Sequence, residues 1–359
     1  MRIKKQNVIL SLVSVLFAVL CKIFQFAILP QKYFYDSRHI LAVMNGSNNT
    51  DISYSFTASF YKKINIFQIN DIYSWSIYIT IIATLAIAGF FLFSKKEYSG
   101  KELLFIFASL ALLNIYVFNL SKEVIQLLIF VVVYLIIQSR ATKNAWIKII
   151  LCSIIFMIES IFFRTYYLIL AAMTPIVYMA LGDRNRQKRN AWKVLLTTIL
   201  LFFLVTYVAG LISPEGLNSI LSARSMVNDI RTKDADSMII ELFGRNTNFL
   251  VFCANYLVDF IRLLLPLELV AKSIKYIPFV IYQIALTMLI FRTIALKRDD
   301  KNNMLLAVII GFVCISAIFE PDFGSFVRHQ ACVCVEYAAI MTSSVTCSTR
   351  NNKTSGAKR

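Results

Sequence analysis

The sequence predicts an all-α polytopic membrane protein of about ten transmembrane helices, with both termini in the cytoplasm. Three observations carry that prediction. Of 359 residues, 58% are apolar and 16% are charged, against about 45–50% and about 25% in soluble domains. The mean hydropathy is +0.68. The apolar residues fall in blocks such as Val8–Leu29, Ile72–Phe93 and Val194–Ile212, close to the roughly 20 residues that cross a bilayer core. The net charge of +17 collects in short segments between those blocks. A soluble domain, a disordered chain and a disulfide scaffold are excluded on these grounds. The basic surplus reads as a topological address and not as a nucleic-acid surface.

Arg2, Lys4 and Lys5 precede a first apolar run that ends at Leu29. The run exceeds the roughly 7–15 residues of a signal-peptide core and lacks a small-residue cleavage site. It is read as an uncleaved span with a cytoplasmic N-terminus. Further spans are expected at Ile72–Phe93, Glu102–Asn119, Glu123–Gln138, Trp146–Phe163, Thr165–Leu181 and Val194–Ile212. Later ones are expected at Tyr276–Leu296, Met304–Phe319 and Ala331–Thr346.

Residues 249–270 are ambiguous, being apolar but carrying Asn255, Asp259, Arg262, Pro266 and Glu268. The positive-inside rule arbitrates. Segments 95–101, 139–148 and 182–193 are rich in Lys and Arg and are placed inside. If 249–270 crossed, Lys297, Arg298 and Lys301 would fall outside, as would the basic tail at 347–359. The segment is therefore read as re-entrant or interfacial, with its polar groups facing a protein cavity. The chain is expected to form a single integral membrane domain over 1–359. Two long outer loops are expected, at 30–71 and 213–248, with a short polar one at 320–330. Seven Cys are scattered without metal-ligand spacing, and no phosphate-binding Walker motif is present.

The outer ends of the helices collect the groups that could do chemistry. Arg164 stands between two apolar spans. It is either an interfacial anchor beside Tyr166 and Tyr167 or a guanidinium fork for a phosphate. Lys122 and Glu123 open a span. Glu123 suits the positive helix end, whereas Lys122 does not, and a buried ion pair is the plain reading of both. Glu320, Asp322, Arg328 and His329 lie around Pro321 and Gly324, which impose a turn that can aim them at one space. A carboxylate or imidazole there could serve as general base, and Arg could stabilise anionic charge. In the large loop, Arg224 and Arg231 fall on one helix face, with Arg245 further on. Asp36 follows the first span closely and could bind a metal, act as a base or have a structural role. Lys22, Asn114, Glu159 and Glu336 are costly within the membrane unless paired or wet, and structural pairing is expected.

Three short stretches carry a family resemblance: Leu120-Ser-Lys-Glu123, Phe163-Arg-Thr-Tyr166 and Glu320-Pro-Asp-Phe-Gly-Ser-Phe-Val-Arg-His329. With the hydropathy pattern, they resemble the Wzy-like polymerases of O-antigen, capsular polysaccharide and exopolysaccharide repeat units. The resemblance implies a multi-pass enzyme of the bacterial cytoplasmic membrane. It would transfer a glycan from undecaprenyl pyrophosphate to an acceptor sugar hydroxyl on a second lipid-linked unit. It implies no metal and no nucleotide-sugar cofactor. A flippase and a chain-length regulator of the same pathway are the implied partners, besides membrane lipid.

Carried onto this chain, the resemblance makes Arg164, Arg328, His329, Glu320 and Asp322 the expected catalytic set. Lys122, Arg224, Arg231, Arg245 and Asp36 are the expected substrate-binding set. Two other readings stand beside it. A glycosyltransferase that uses a polyprenyl-phosphate sugar would rely on an acid in the first outer loop, for which Asp36 is the candidate. A transporter or flippase for lipid-linked glycans would use Lys22, Glu159 and Glu336 along a polar path.

Overall fold

A computed structural model describes residues 4–94, 96–182, 190–218, 220–222, 237–296 and 299–342. Among these residues no β-strand forms, and a single bridge joins Met238 to Asp322. The protein is all-α, and among the described residues seven helical stretches are long and apolar enough to cross a membrane. These are Lys5–Ile28, Ile72–Phe93, Gly100–Val117, Ala145–Phe162, Ala191–Val208, Ile274–Ala295 and Asp300–Phe319. Two shorter apolar helices, Glu123–Gln138 and Tyr167–Leu181, accompany them. Multi-pass membrane insertion follows from that set.

In chain order the helices are α1 (Lys5–Ile28), α2 (Tyr35–Met44), α3 (Ile52–Ile64), α4 (Ile72–Phe93), α5 (Gly100–Leu112), α6 (Glu123–Gln138) and α7 (Ala145–Phe162). There follow α8 (Tyr167–Leu181), α9 (Ala191–Ile212), α10 (Phe249–Leu264), α11 (Glu268–Lys272), α12 (Ile277–Ala295), α13 (Asp300–Phe319) and α14 (Phe323–Ala331). The helices form two compact units.

The first unit comprises Met1–Val132, Ile161–Arg164 and Arg328–Ala338. Its central pair is α1 against α4. The buried stripe of α1 is Asn7, Leu10, Ser11, Ser14, Ala18, Cys21, Lys22 and Gln25. These mostly small or polar residues recur at helical spacing. Ile9, Leu12, Leu16, Val19 and Ile23 face outward. Lipid tails solvate Leu and Ile as well as a protein core does, so the helix buries what lets backbones approach or hydrogen-bond. Accordingly Ser11 donates to the Ala88 carbonyl at 2.7 Å, and Asn7 to that of Ser94.

α5 starts in a capping box between Ser99 and Glu102 and ends in a π-helical turn, Leu113–Val117. The segment between α1 and α4 is not an open coil. It holds α2 and α3, which pack on each other, and Asp51 caps α3 by accepting from the Ser53 amide at 2.7 Å.

The second unit comprises Val133–Ser160, Thr165–Val327 and Ala339–Arg359. Its core is α13, whose apolar window is 94% buried. A helix buried on every side needs no amphipathic face, and Met304–Ile318 is apolar almost without interruption. α8 crosses it at Gly311, where a β-carbon would stand 3.1 Å from Leu170. The crossing is close because that position carries no side chain.

The ambiguous segment resolves into α10, a break at Pro266 and the short α11. Its polar residues serve local ties. Asn255 donates to the Gly244 carbonyl and the Asn246 side chain, both at 2.8 Å, and accepts from the Phe243 amide. Arg262 makes two bonds to Glu268, at 2.6 and 2.8 Å, and one to Asp259 at 3.0 Å. Composition alone left this segment ambiguous because its charges neutralise one another within seven residues on either side.

Candidate functional site

The site is built on the turn that joins α5 to α6. The π-helical turn closes with the Phe118 amide on the Leu113 carbonyl, and the backbone carbonyls of Asn114 and Phe118 face Lys22 on α1. The Lys22 ammonium lies within 3.0 Å of five oxygens: Gln25 Oε1, Ser76 Oγ, Asn119 Oδ1 and those two carbonyls. A cation suits a helix C-terminus, and it meets acceptors that the irregular turn has released.

A carboxylate partner for Lys22 was expected from the cost of a lone charge in a membrane. Among the described residues it has none. Five dipoles replace the anion, as carbonyls do around a bound metal cation. From the other side Tyr61 of α3 donates its hydroxyl to the Ser121 carbonyl at 2.8 Å. The turn is therefore held by α1 and by the α2–α3 hairpin together.

This clamp presents Lys122 and Glu123. Glu123 is 1% exposed and is the hub of the cluster. Its Oε1 lies 3.5 Å from Arg164 Nη2, 3.2 Å from Arg328 Nε and 3.3 Å from His329 Nε2. Arg164 Nη2 also reaches His329 Nε2 at 3.0 Å. Cys332 Sγ lies 3.4 Å from the Glu123 carbonyl. Arg164 sits between α7 and α8, and Phe163 turns its ring toward the guanidinium, 5.3 Å from centroid to carbon.

Arg328 extends to a second carboxylate, donating from Nη1 to Asp36 Oδ2 at 2.7 Å. The Tyr54 hydroxyl donates to Asp36 Oδ1 at 2.5 Å, and the Lys122 ammonium lies 3.7 Å above the Tyr54 ring. Two guanidinium groups, one amine and one imidazole thus surround two carboxylates. The Asp36–Arg328 edge is the more open part, at 18% and 28% side-chain exposure against 1% for Glu123.

The electrostatics follow from that arrangement. Burial pushes the Asp36 carboxyl up, but Arg328, Lys122 and the Tyr54 hydroxyl outweigh it, and the net shift is downward. Burial raises the Tyr54 phenol, and the neighbouring Asp36 raises it further, so Tyr54 remains a donor. Lys122 is lowered by burial and then by Arg164, against the opposite pull of Asp36 and Glu123. An anion placed beside Lys122 would act against that downward shift by favouring the charged ammonium.

Of the residues predicted from sequence, Arg164, Arg328, His329, Lys122 and Asp36 come together here. Glu320 and Asp322 have a local role. The Ser325 hydroxyl donates to Glu320 Oε2 and the Ser325 amide to Asp322 Oδ1, each at 2.7 Å. They cap the start of α14, which occupies what was expected to be an irregular polar loop. Backbone bonds from Ile239 to Pro321 and from Phe323 to Ser237 tie the end of the large loop to the same place. Arg245 is exposed on the turn ahead of α10, and Arg224 and Arg231 lie outside the described residues.

Sequence reasoning missed Tyr54, Tyr61 and the central place of Glu123. The spacing of Asp36 and Tyr54 on two short helices was a weak signal, because neither residue shows a pattern on its own. Comparison with known protein families, with curated proteins and with solved structures finds no match.

Proposed function

We propose that the protein polymerises lipid-linked oligosaccharide repeat units, as Wzy-like polymerases do, on the outer face of the bacterial cytoplasmic membrane. The observation that carries this reading is the gathering of Arg164, Arg328, His329 and Lys122 around Glu123. Such a group at the ends of apolar helices suits a substrate that is part lipid and part pyrophosphate. In the proposed step an acceptor sugar hydroxyl attacks the anomeric carbon. The bond from that carbon to the pyrophosphate oxygen breaks, and the leaving electron pair stays on the pyrophosphate. Arg164, Lys122 and Arg328 would stabilise that charge, and His329 would take the hydroxyl proton.

The topology that belongs to this reading has ten spans and cytoplasmic termini, which leaves the 119–123 turn and Arg164 outside. The decisive experiment is glycan analysis of a deletion strain complemented with wild-type protein, Arg164→Ala or Arg328→Ala. Loss of polymer with single repeat units still displayed is the expected result for both variants. Absence of surface repeats from the deletion strain would instead indicate transport.

A second reading has one observation in its favour. Asp36, the acid of the first outer loop, stands within the cluster on Arg328. A transferase using a polyprenyl-phosphate sugar would lose all activity in Asp36→Ala. In the polymerase, the loss is expected to be smaller than in Arg164→Ala.

A further inference from the structure

A separate cationic cavity of about 380 Å³ opens where α6, α7 and α13 meet, at the C-terminal end of α6. It is lined by Arg140, Lys143, Lys148 and Lys301, against Asp299 and Asp300. The two lysines nearest the helices are fixed. Lys148, 4% exposed, donates to the carbonyls of Ile137 and Ser139 at 2.8 and 2.6 Å. Lys301 reaches Gln138 Oε1 at 3.1 Å. Together they cap the negative end of α6.

Asp299 is likewise committed, accepting from the Asn302 amide at 3.0 Å as the cap of α13. Arg140 and Lys143 are exposed and make no ion pair or side-chain hydrogen bond among the described residues. The first turns of α7 and α13 both border the cavity, so their amide ends add positive potential to the four side chains.

The surface beside this cavity is apolar. Ile147, Ile150 and Leu151 of α7 and Leu135 of α6 are 42–58% exposed. Trp146, packed edge-on against Tyr178, marks the interface at the start of α7. A free phosphate would use the cations and leave that surface unused, whereas a phospholipid would use both.

We propose that this cavity binds the headgroup phosphate of an anionic glycerophospholipid, with the acyl chains lying along the exposed face of α7. Arg140 and Lys143 supply the contacts to the phosphate, over a floor made positive by Lys148 and Lys301. The inference is independent of the polymerase reading, since it uses no residue of the Glu123 cluster.

The test is native mass spectrometry and thermal unfolding of the full chain in phosphatidylcholine nanodiscs, with and without phosphatidylglycerol. Wild-type protein is expected to retain phosphatidylglycerol over phosphatidylcholine and to unfold a few degrees higher in its presence. Retention should fall roughly tenfold in Arg140→Gln/Lys143→Gln, because each surface cation contributes on the order of one factor of several to such binding. Arg140→Lys/Lys143→Arg should retain the lipid. Equal retention of the two lipids by wild-type protein overturns the proposal, and that measurement stands even if a variant fails to fold. Equal protection by glycerol phosphate in pure phosphatidylcholine also overturns it, since the site would then take a free anion.

Discussion

Glu123 holds two arginines and a histidine with one carboxylate oxygen, and its value lies in what its removal would leave behind. Glu123→Ala removes the buried carboxylate that Arg164 and Arg328 share, while Arg328 keeps its bond to Asp36. Breaking a buried pair from one side costs about 3–5 kcal/mol. A lowered unfolding midpoint is expected, along with loss of polymer in the cellular assay. Partial recovery of the midpoint in Glu123→Ala/Arg164→Met would show that the damage comes from the uncompensated cation.

Asp36 makes the opposite kind of prediction. Its folded-state pKa is depressed, so the stability it contributes is present above the ordinary aspartate value of 3.8 and is lost as pH falls through the lower folded value. The difference in unfolding midpoint between wild-type protein and Asp36→Asn should be level from neutral pH down to about 5 and should shrink below about 4. A difference that already vanishes near neutrality would contradict the ion pair with Arg328.

The junction of α5 and α6 shows how an irregular element is stabilised within a membrane protein. A π-helical turn releases backbone carbonyls that must find donors, and such turns recur at functional sites. Here one ammonium satisfies two of them together with three side-chain oxygens. Lys22→Met would keep the volume and remove every donor. The expected outcome is faster amide exchange across 117–122 and reduced activity, with α1 and α4 still packed. Lys22→Arg should be poorly tolerated as well, because a planar fork does not match five acceptors arranged around a point charge.

α14 carries the same lesson from another side. Pro321 and Gly324 signalled a turn, but the acidic residues around them cap a helix, and the helix delivers Arg328 and His329 about two turns later. Turn residues announced the change of direction without saying what followed it. The ambiguous segment is similar. Asn255 and Asp259 line a small cavity, as their polarity leads one to expect, and with Arg262 and Glu268 they also form a local network of partners close by in sequence.

For the molecule as a whole, the proposed chemistry requires the orientation that the positive-inside rule predicts from the basic residues. A reporter fused after Lys301 should lie in the cytoplasm and one at Gly324 outside. If the Lys301 fusion reports outside, the ten-span topology fails, and so does the outer placement of Arg328.

Membrane insertion and the places of most apolar helices were legible in the chain. Each depends on composition within one stretch of about 20 residues, and partitioning into a bilayer acts on one helix at a time. The identity of the site was not legible in that way. Asp36, Glu123, Arg164 and Arg328 come from four distant stretches, and no local property distinguishes a cation that will meet Glu123 from one that anchors a helix at the interface. Tertiary packing decided that, because a buried charge is stable only where partners arrive from other helices. The same packing decided that Lys22 would answer to dipoles and not to a carboxylate.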